Sequence, residues 1–187
     1  MKRNRIFRIA QNGGLNPELE RPGLLLPHRP DEIAASRRRP ADVFLPCWTS
    51  GSPAALDFAV TAPQRMETLS LASQTALAAA HDYDCKKREY LGTESACREQ
   101  GVDFHPMVAE STGAWAAGAT RVLLLMAAAC SRTTGRDKDE IFREVLQAAS
   151  VEVRTATARA TLRRLHGDEA AGSSTAAAQA VLSGSAD

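Results

Sequence analysis

Apolar residues fall along this chain first in short clusters and later at helical spacing, and the change of rhythm predicts its elements. Leu24-Leu25-Leu26, bounded by Pro22-Gly23 and Pro27, predicts a short strand within Glu18 to Leu26. Residues 41–48 and 54–61 predict a second and a third strand, with Gly51-Ser52-Pro53 as the turn of a β-hairpin. Prolines at 40, 46, 53 and 63 keep these strands short, because each removes a donor from a ladder. Residues 27–39 are polar, carry Arg37-Arg38-Arg39, and predict a loop.

From residue 65 the period lengthens. With Leu69 as the reference and about 100° per residue, Ser73, Ala76, Ala80, Tyr83 and Lys87 all lie within about 40° of it. Residues 65–91 therefore predict one long helix, with Lys87 turned inward and Lys86 well off that face. Gly101 to Thr112 predicts a fourth strand, and Pro106 assigns it an edge or a bulge. Residues 114–131 predict a strongly apolar helix. Residues 137–165 predict a last amphipathic one, with Ile141, Val145, Leu146, Ala149, Val153 and Ala156 facing inward. Residues 1–14 predict a basic helix closed by Gly13-Gly14.

The order is strand, strand, strand, helix, strand, helix, helix. Strands joined by a tight turn pair antiparallel, and a helical crossover allows a parallel neighbour. The fold class expected is α/β, a mixed four-stranded sheet flanked by helices. The chain divides into a basic arm or short helix over 1–17, one domain over 18–166, and a Gly/Ser/Ala-rich tail over 167–187 that is expected to be disordered.

Composition adds little except in its distribution. The 187 residues carry a formal net charge of +1, so no global basic signature is present. Residues 1–40, however, hold nine Lys and Arg against four acids. Such a segment either tracks phosphates or forms a solvated arm. Cys47, Cys85, Cys97 and Cys130 show no Cys-x-x-Cys spacing and form no zinc set with His28, His81, His105 or His166, so reduced thiols in an intracellular protein are expected. The basic start is not followed by a signal-like apolar stretch, and the longest apolar run, Val122 to Cys130, is too short to span a bilayer.

Two acids stand out. Asp42 opens the second strand and Asp57 lies inside the third between Leu56 and Phe58. A mid-strand carboxylate between apolar neighbours is costly to bury without a cation or strong hydrogen bonds. Lys87 is the candidate cation. Two strand carboxylates and a lysine are what metal-assisted phosphodiester hydrolysis requires: the acids hold Mg²⁺, and the ammonium stabilises developing charge. The same spacing also fits a purely structural Asp–Lys pair. Trp48 and Trp115 read as packing residues. Glu110 reads as an exposed strand-end acid that joins the site only if it faces Asp57. Arg163-Arg164 reads as a charged helix end.

Four segments in order carry a resemblance: Arg39-Pro40-Ala41-Asp42; Leu56-Asp57-Phe58-Ala59-Val60-Thr61-Ala62-Pro63; Lys86-Lys87-Arg88-Glu89-Tyr90-Leu91; and Phe104 to Trp115, ending Gly113-Ala114-Trp115. Together the stretch from about Glu18 to His166 resembles the carboxy-terminal restriction-enzyme-like endonuclease region of reverse transcriptases from site-specific non-LTR retrotransposons, within the PD-(D/E)XK nuclease superfamily. The resemblance implies a restriction-endonuclease-like sheet and Mg²⁺- or Mn²⁺-dependent nicking of DNA. It implies Asp42 and Asp57 as metal ligands and Lys87 as a catalytic lysine displaced onto the helix, with Lys86 as second choice. Tyr90 becomes an accessory residue, and Arg37, Arg38 and Arg39 lie near the DNA backbone. The chain departs from the pattern in two places: Ala41 separates Pro40 from Asp42, and no Glu-x-Lys follows Asp57. Polymerase motifs are absent, so the resemblance further implies a detached endonuclease end, or a degenerate remnant. The expected partner is a reverse transcriptase polypeptide missing from this chain, and the expected location is nuclear if the source is eukaryotic.

Overall fold

The computed structural model describes residues 4–21, 24–25, 41–49 and 51–170. In chain order the elements are α1 (Asn4–Asn12), β1 (Glu18–Leu19), β2 (Val43–Leu45), β3 (Ala54–Thr61), α2 (Met66–Gln74), α3 (Ala78–Glu89), a 3₁₀ turn (Tyr90–Gly92), α4 (Thr93–Glu99), β4 (Asp103–Glu110), α5 (Ala117–Thr134) and α6 (Lys138–Ala170). The four strands form one sheet in the order β1-β2-β3-β4. The first three pair antiparallel, as the short connection between β2 and β3 requires, and β4 runs parallel to β3 after the helical crossover. β4 is an edge strand, where Pro106 loses no ladder bond.

Alternation along the strands gives the sheet two different faces. Val43, Leu45, Ala54, Leu56, Met107 and Ala109 are fully buried against α1, α5 and α6. The opposite face is built from two smaller clusters. Phe44, Ala55 and Phe104 pack with Leu24, Leu25 and Cys97, while Val108 packs with Ala80 and Ala116. Asp57 has the same parity as Ala55 and Ala59, so its side chain belongs to this second, α3-bearing face. Trp48 and Trp115 are both buried, in keeping with packing roles.

The structure departs from the sequence expectations in several places. Residues 65–91 do not form one helix: the chain breaks at Thr75–Leu77, where Leu77 takes φ +64°. A 27-residue helix would run about 40 Å. The eight-residue strand it must run beside spans about 26 Å, so an unbroken crossover would overshoot the sheet. The break also resets the phase. Leu69, Ser73 and Ala76 are exposed on α2 or just beyond it, while Ala80, Tyr83 and Lys87 on α3 keep the inward setting. The strand in Glu18 to Leu26 is only Glu18–Leu19. Glu20 turns the chain at φ +47°, and Leu24 and Leu25 cover the second face from a bend instead of pairing. Residues 92–100, unassigned from sequence, hold α4. The tail expected from Gly167 starts inside α6, which continues to Ala170, and residues 171–187 lie outside the described residues.

The basic amino-terminal segment is not a solvated arm over residues 4–12. Ile6, Ile9 and Ala10 sit in the main core, and Arg5 and Arg8 face solvent. Among the described residues no helix is long and apolar enough to cross a membrane. All four cysteines are free thiols. If α1 is part of the core, Ile6→Ala should cost about 2–4 kcal/mol in chemical denaturation, whereas Arg8→Ala should stay within about 0.5 kcal/mol.

Candidate functional site

The second face of the sheet gathers three charges from three elements. Asp57 stands in the middle of β3, where neighbouring Leu56 points to the main core and leaves the carboxylate on the α3 side. Lys87 lies in the last turn of α3 and pairs its ammonium directly with Asp57 Oδ2. Both side chains are largely withdrawn from water, 22 % exposed for Asp57 and 19 % for Lys87. Asp42 immediately precedes β2 and lies across the ladder from Asp57, since Val43 pairs with Leu56.

Asp42 is tied in twice. Its backbone N–H donates to Leu56 O at 2.9 Å, and its carboxylate Oδ2 accepts from the Phe58 N–H at 2.9 Å. The carboxylate therefore takes a place in the ladder that a backbone carbonyl would otherwise fill, and it is held beside Asp57. Burial pushes the Asp57 carboxyl above its ordinary value of 3.8. The hydrogen bond and charge of Lys87 oppose the rise, and the negative charge of Asp42 adds to it.

The surroundings explain why Lys87 is where it is. Arg88 donates through Nε to Asp84 Oδ2 at 2.7 Å and through Nη1 to Glu94 Oε1 at 2.9 Å. It thereby bridges α3 and α4 across a turn in which Leu91 and Gly92 take φ +52° and +65°. From α4, Cys97 is fully buried close to Asp57. Its thiol is pushed up to about 11, by burial first and then by the charges of Asp57 and Glu94, so it stays protonated. Neither Arg88 nor Cys97 was singled out from sequence. Their roles depend on α4, which the pattern of residues 92–100 did not reveal.

The other anticipated residues are placed differently. Lys86 points away, more than half exposed, and pairs with Asp82 at 2.7 Å, so it does not share the site. Tyr90 is 68 % exposed, and its hydroxyl makes no hydrogen bond among the described residues. Arg37, Arg38 and Arg39 lie outside the described residues. Glu110 is buried, contrary to the exposed strand-end acid expected, and its Oε1 has no hydrogen-bond partner among the described residues. It pairs in register with Thr61, four residues along β3 from Asp57 and so about 13 Å away, and it does not join Asp42 and Asp57.

Among the described residues, no group of three His, Cys, Asp or Glu converges to hold a metal ion. Two adjacent carboxylates nevertheless meet the smallest donor set that Mg²⁺ uses, since that ion keeps several waters and takes its remaining oxygens from a phosphate. Neither protein-family models, nor curated proteins, nor solved structures yield a match to this chain.

The raised Asp57 carboxyl makes a signed prediction. The native state holds this proton more tightly than the unfolded chain, so stability falls as pH rises from 3.8 through the native pKa and levels off above it. Compared with Asp57→Asn over a denaturation series from acid to neutral pH, the wild type should lose ground in that window. A pH-independent gap between the two proteins would show that Asp57 titrates normally.

Proposed function

We propose that this chain is a metal-dependent DNA endonuclease of restriction-endonuclease type, a retroelement-derived nickase that hydrolyses phosphodiester bonds. The observation that carries the reading is the meeting of Asp42, Asp57 and Lys87 on one sheet face, from the start of β2, the centre of β3 and the end of α3. The strand-strand-strand-helix-strand connectivity expected of such a nuclease accompanies it. Asp42 and Asp57 would hold a Mg²⁺ or Mn²⁺ ion, which would neutralise phosphate charge and activate a water. The ladder fixes Asp42 through the Phe58 N–H, so the first ligand is set by backbone geometry. Lys87, paired with Asp57 at the same face, would present its ammonium to a phosphate oxygen. Arg88 keeps the last turn of α3 in place for this.

One observation favours a second reading. Asp57 is already matched by Lys87, and an oxygen of Asp42 already accepts from Phe58, as they would be in a site that only holds the fold. On that reading the chain is an inactive nucleic-acid-binding or interaction remnant of a nuclease.

Supercoiled plasmid incubated with Mg²⁺ or Mn²⁺ separates the two. Nicking by the wild type should fall a hundredfold or more in Asp57→Asn and in Lys87→Met, on the order of what loss of one charge-stabilising group costs. Circular dichroism checks that both variants remain folded. A wild type that binds DNA with a steep salt dependence but never nicks it would establish the remnant reading instead.

A further inference from the structure

The middle of α3 carries a second pair of reactive side chains. His81 and Cys85 lie one turn apart on the same side of the helix, with Cys85 Sγ 4.0 Å from His81 Nε2. His81 is exposed and Cys85 half-buried, so both are reachable from solvent. They line a groove of about 660 Å³ whose walls include Leu71, Ala76 and Leu77 from the α2–α3 elbow and Ala116 from the start of α5. Asp84 lines the same groove. Its Oδ2 is paired with Arg88, and its Oδ1 is buried with no hydrogen-bond partner among the described residues, leaving an unsatisfied carboxylate oxygen at the groove wall.

We infer that His81 and Cys85 form a two-ligand site for a thiophilic divalent ion, with Zn²⁺ the natural occupant. A thiolate and an imidazole are the donors Zn²⁺ prefers. In a tetrahedral site with Zn–S about 2.3 Å and Zn–N about 2.0 Å, the two donor atoms stand about 3.5 Å apart. The pair needs to close by only about half an ångström, within the reach of one side-chain torsion each. Binding releases the Cys85 proton to solvent and leaves two coordination positions to water. The ion would staple the middle turns of α3. That helix begins without a side-chain cap, directly after left-handed Leu77, and its last turn carries Lys87. The site is independent of any cleavage chemistry at Asp57.

Titrating the full chain with Co²⁺ in a thiol-free reductant tests this. The wild type should take up one Co²⁺ per chain, with a thiolate-to-cobalt charge-transfer band in the near ultraviolet that Zn²⁺ displaces. Cys85→Ser should abolish the band. His81→Ala, at an exposed position that tolerates change, should weaken binding by about tenfold or more. Cys47→Ser and Asp57→Asn should both keep the band, so a failure of the nuclease reading leaves this result standing. Zn²⁺ should raise the thermal midpoint of the wild type and leave that of Cys85→Ser unmoved. Absence of the band, its survival in Cys85→Ser, or its loss in Cys47→Ser would reduce the pair to a weak thiol–imidazole contact.

Discussion

A carboxylate set in the middle of a β-strand between Leu56 and Phe58 has to be matched by something, and Asp57 is matched by the ammonium of Lys87. The match is incomplete. Burial and the neighbouring charge of Asp42 together outweigh Lys87, and the Asp57 carboxyl keeps a raised affinity for its proton. The second face of the sheet is organised around that imbalance. Three elements have to arrive at one place to create it, and each is positioned by ordinary forces: the ladder sets Asp42 and Asp57, and packing of Ala80 and Tyr83 beneath α3 sets Lys87.

The imbalance is maintained by a rigid frame. On the far face, α1, α5 and α6 bury Leu45, Leu56, Met107, Leu123 and Met126 without residual exposure, which leaves β3 little freedom to shift. On the near face the Arg88 bridge to Asp84 and Glu94 closes the turn between α3 and α4. A half-buried arginine satisfied by two carboxylates is geometrically exacting, because its planar fork accepts few alternatives. It holds the end of α3 in register with β3 and carries Cys97 under Asp57. His105, half-buried on β4 with its ring tilted against Trp48, has its imidazole held below the ordinary range, chiefly by burial.

The last turn of α3 and its middle thus present different side chains. The last turn brings an ammonium to two carboxylates, the set on which the proposed magnesium-like site rests. The middle turns offer sulfur and imidazole at the wall of a groove, the pair on which the proposed site for a softer metal rests. A straight helix continuous with α2 would have placed that last turn elsewhere. The break at Thr75–Leu77 is what lets α3 lie along the sheet at the length the crossover allows.

By itself the sequence determined the strand hairpin, a fourth strand whose Pro106 called for an edge or a bulge, the apolar and the amphipathic carboxy-terminal helices, and the suspicion attached to Asp42, Asp57 and Lys87. These follow from period and from the cost of burying charge, both local properties of the chain. The amino-terminal helix was also legible, but its place in the core was not, because Ile6 and Ile9 acquire partners only when α5 and α6 are folded against them. Glu110 and Lys86 show the same limit from opposite sides. Nothing near Glu110 in sequence announces burial, and only the register with Thr61 separates it from Asp57. Lys86 differs from Lys87 by one step of about 100° around a helix, and the packing of that helix on the sheet decides which ammonium meets the acid. Tertiary structure alone could place α4, the Arg88 bridge and the break before α3. Each depends on how far a crossover must travel beside β3, and that distance is a property of the assembled sheet.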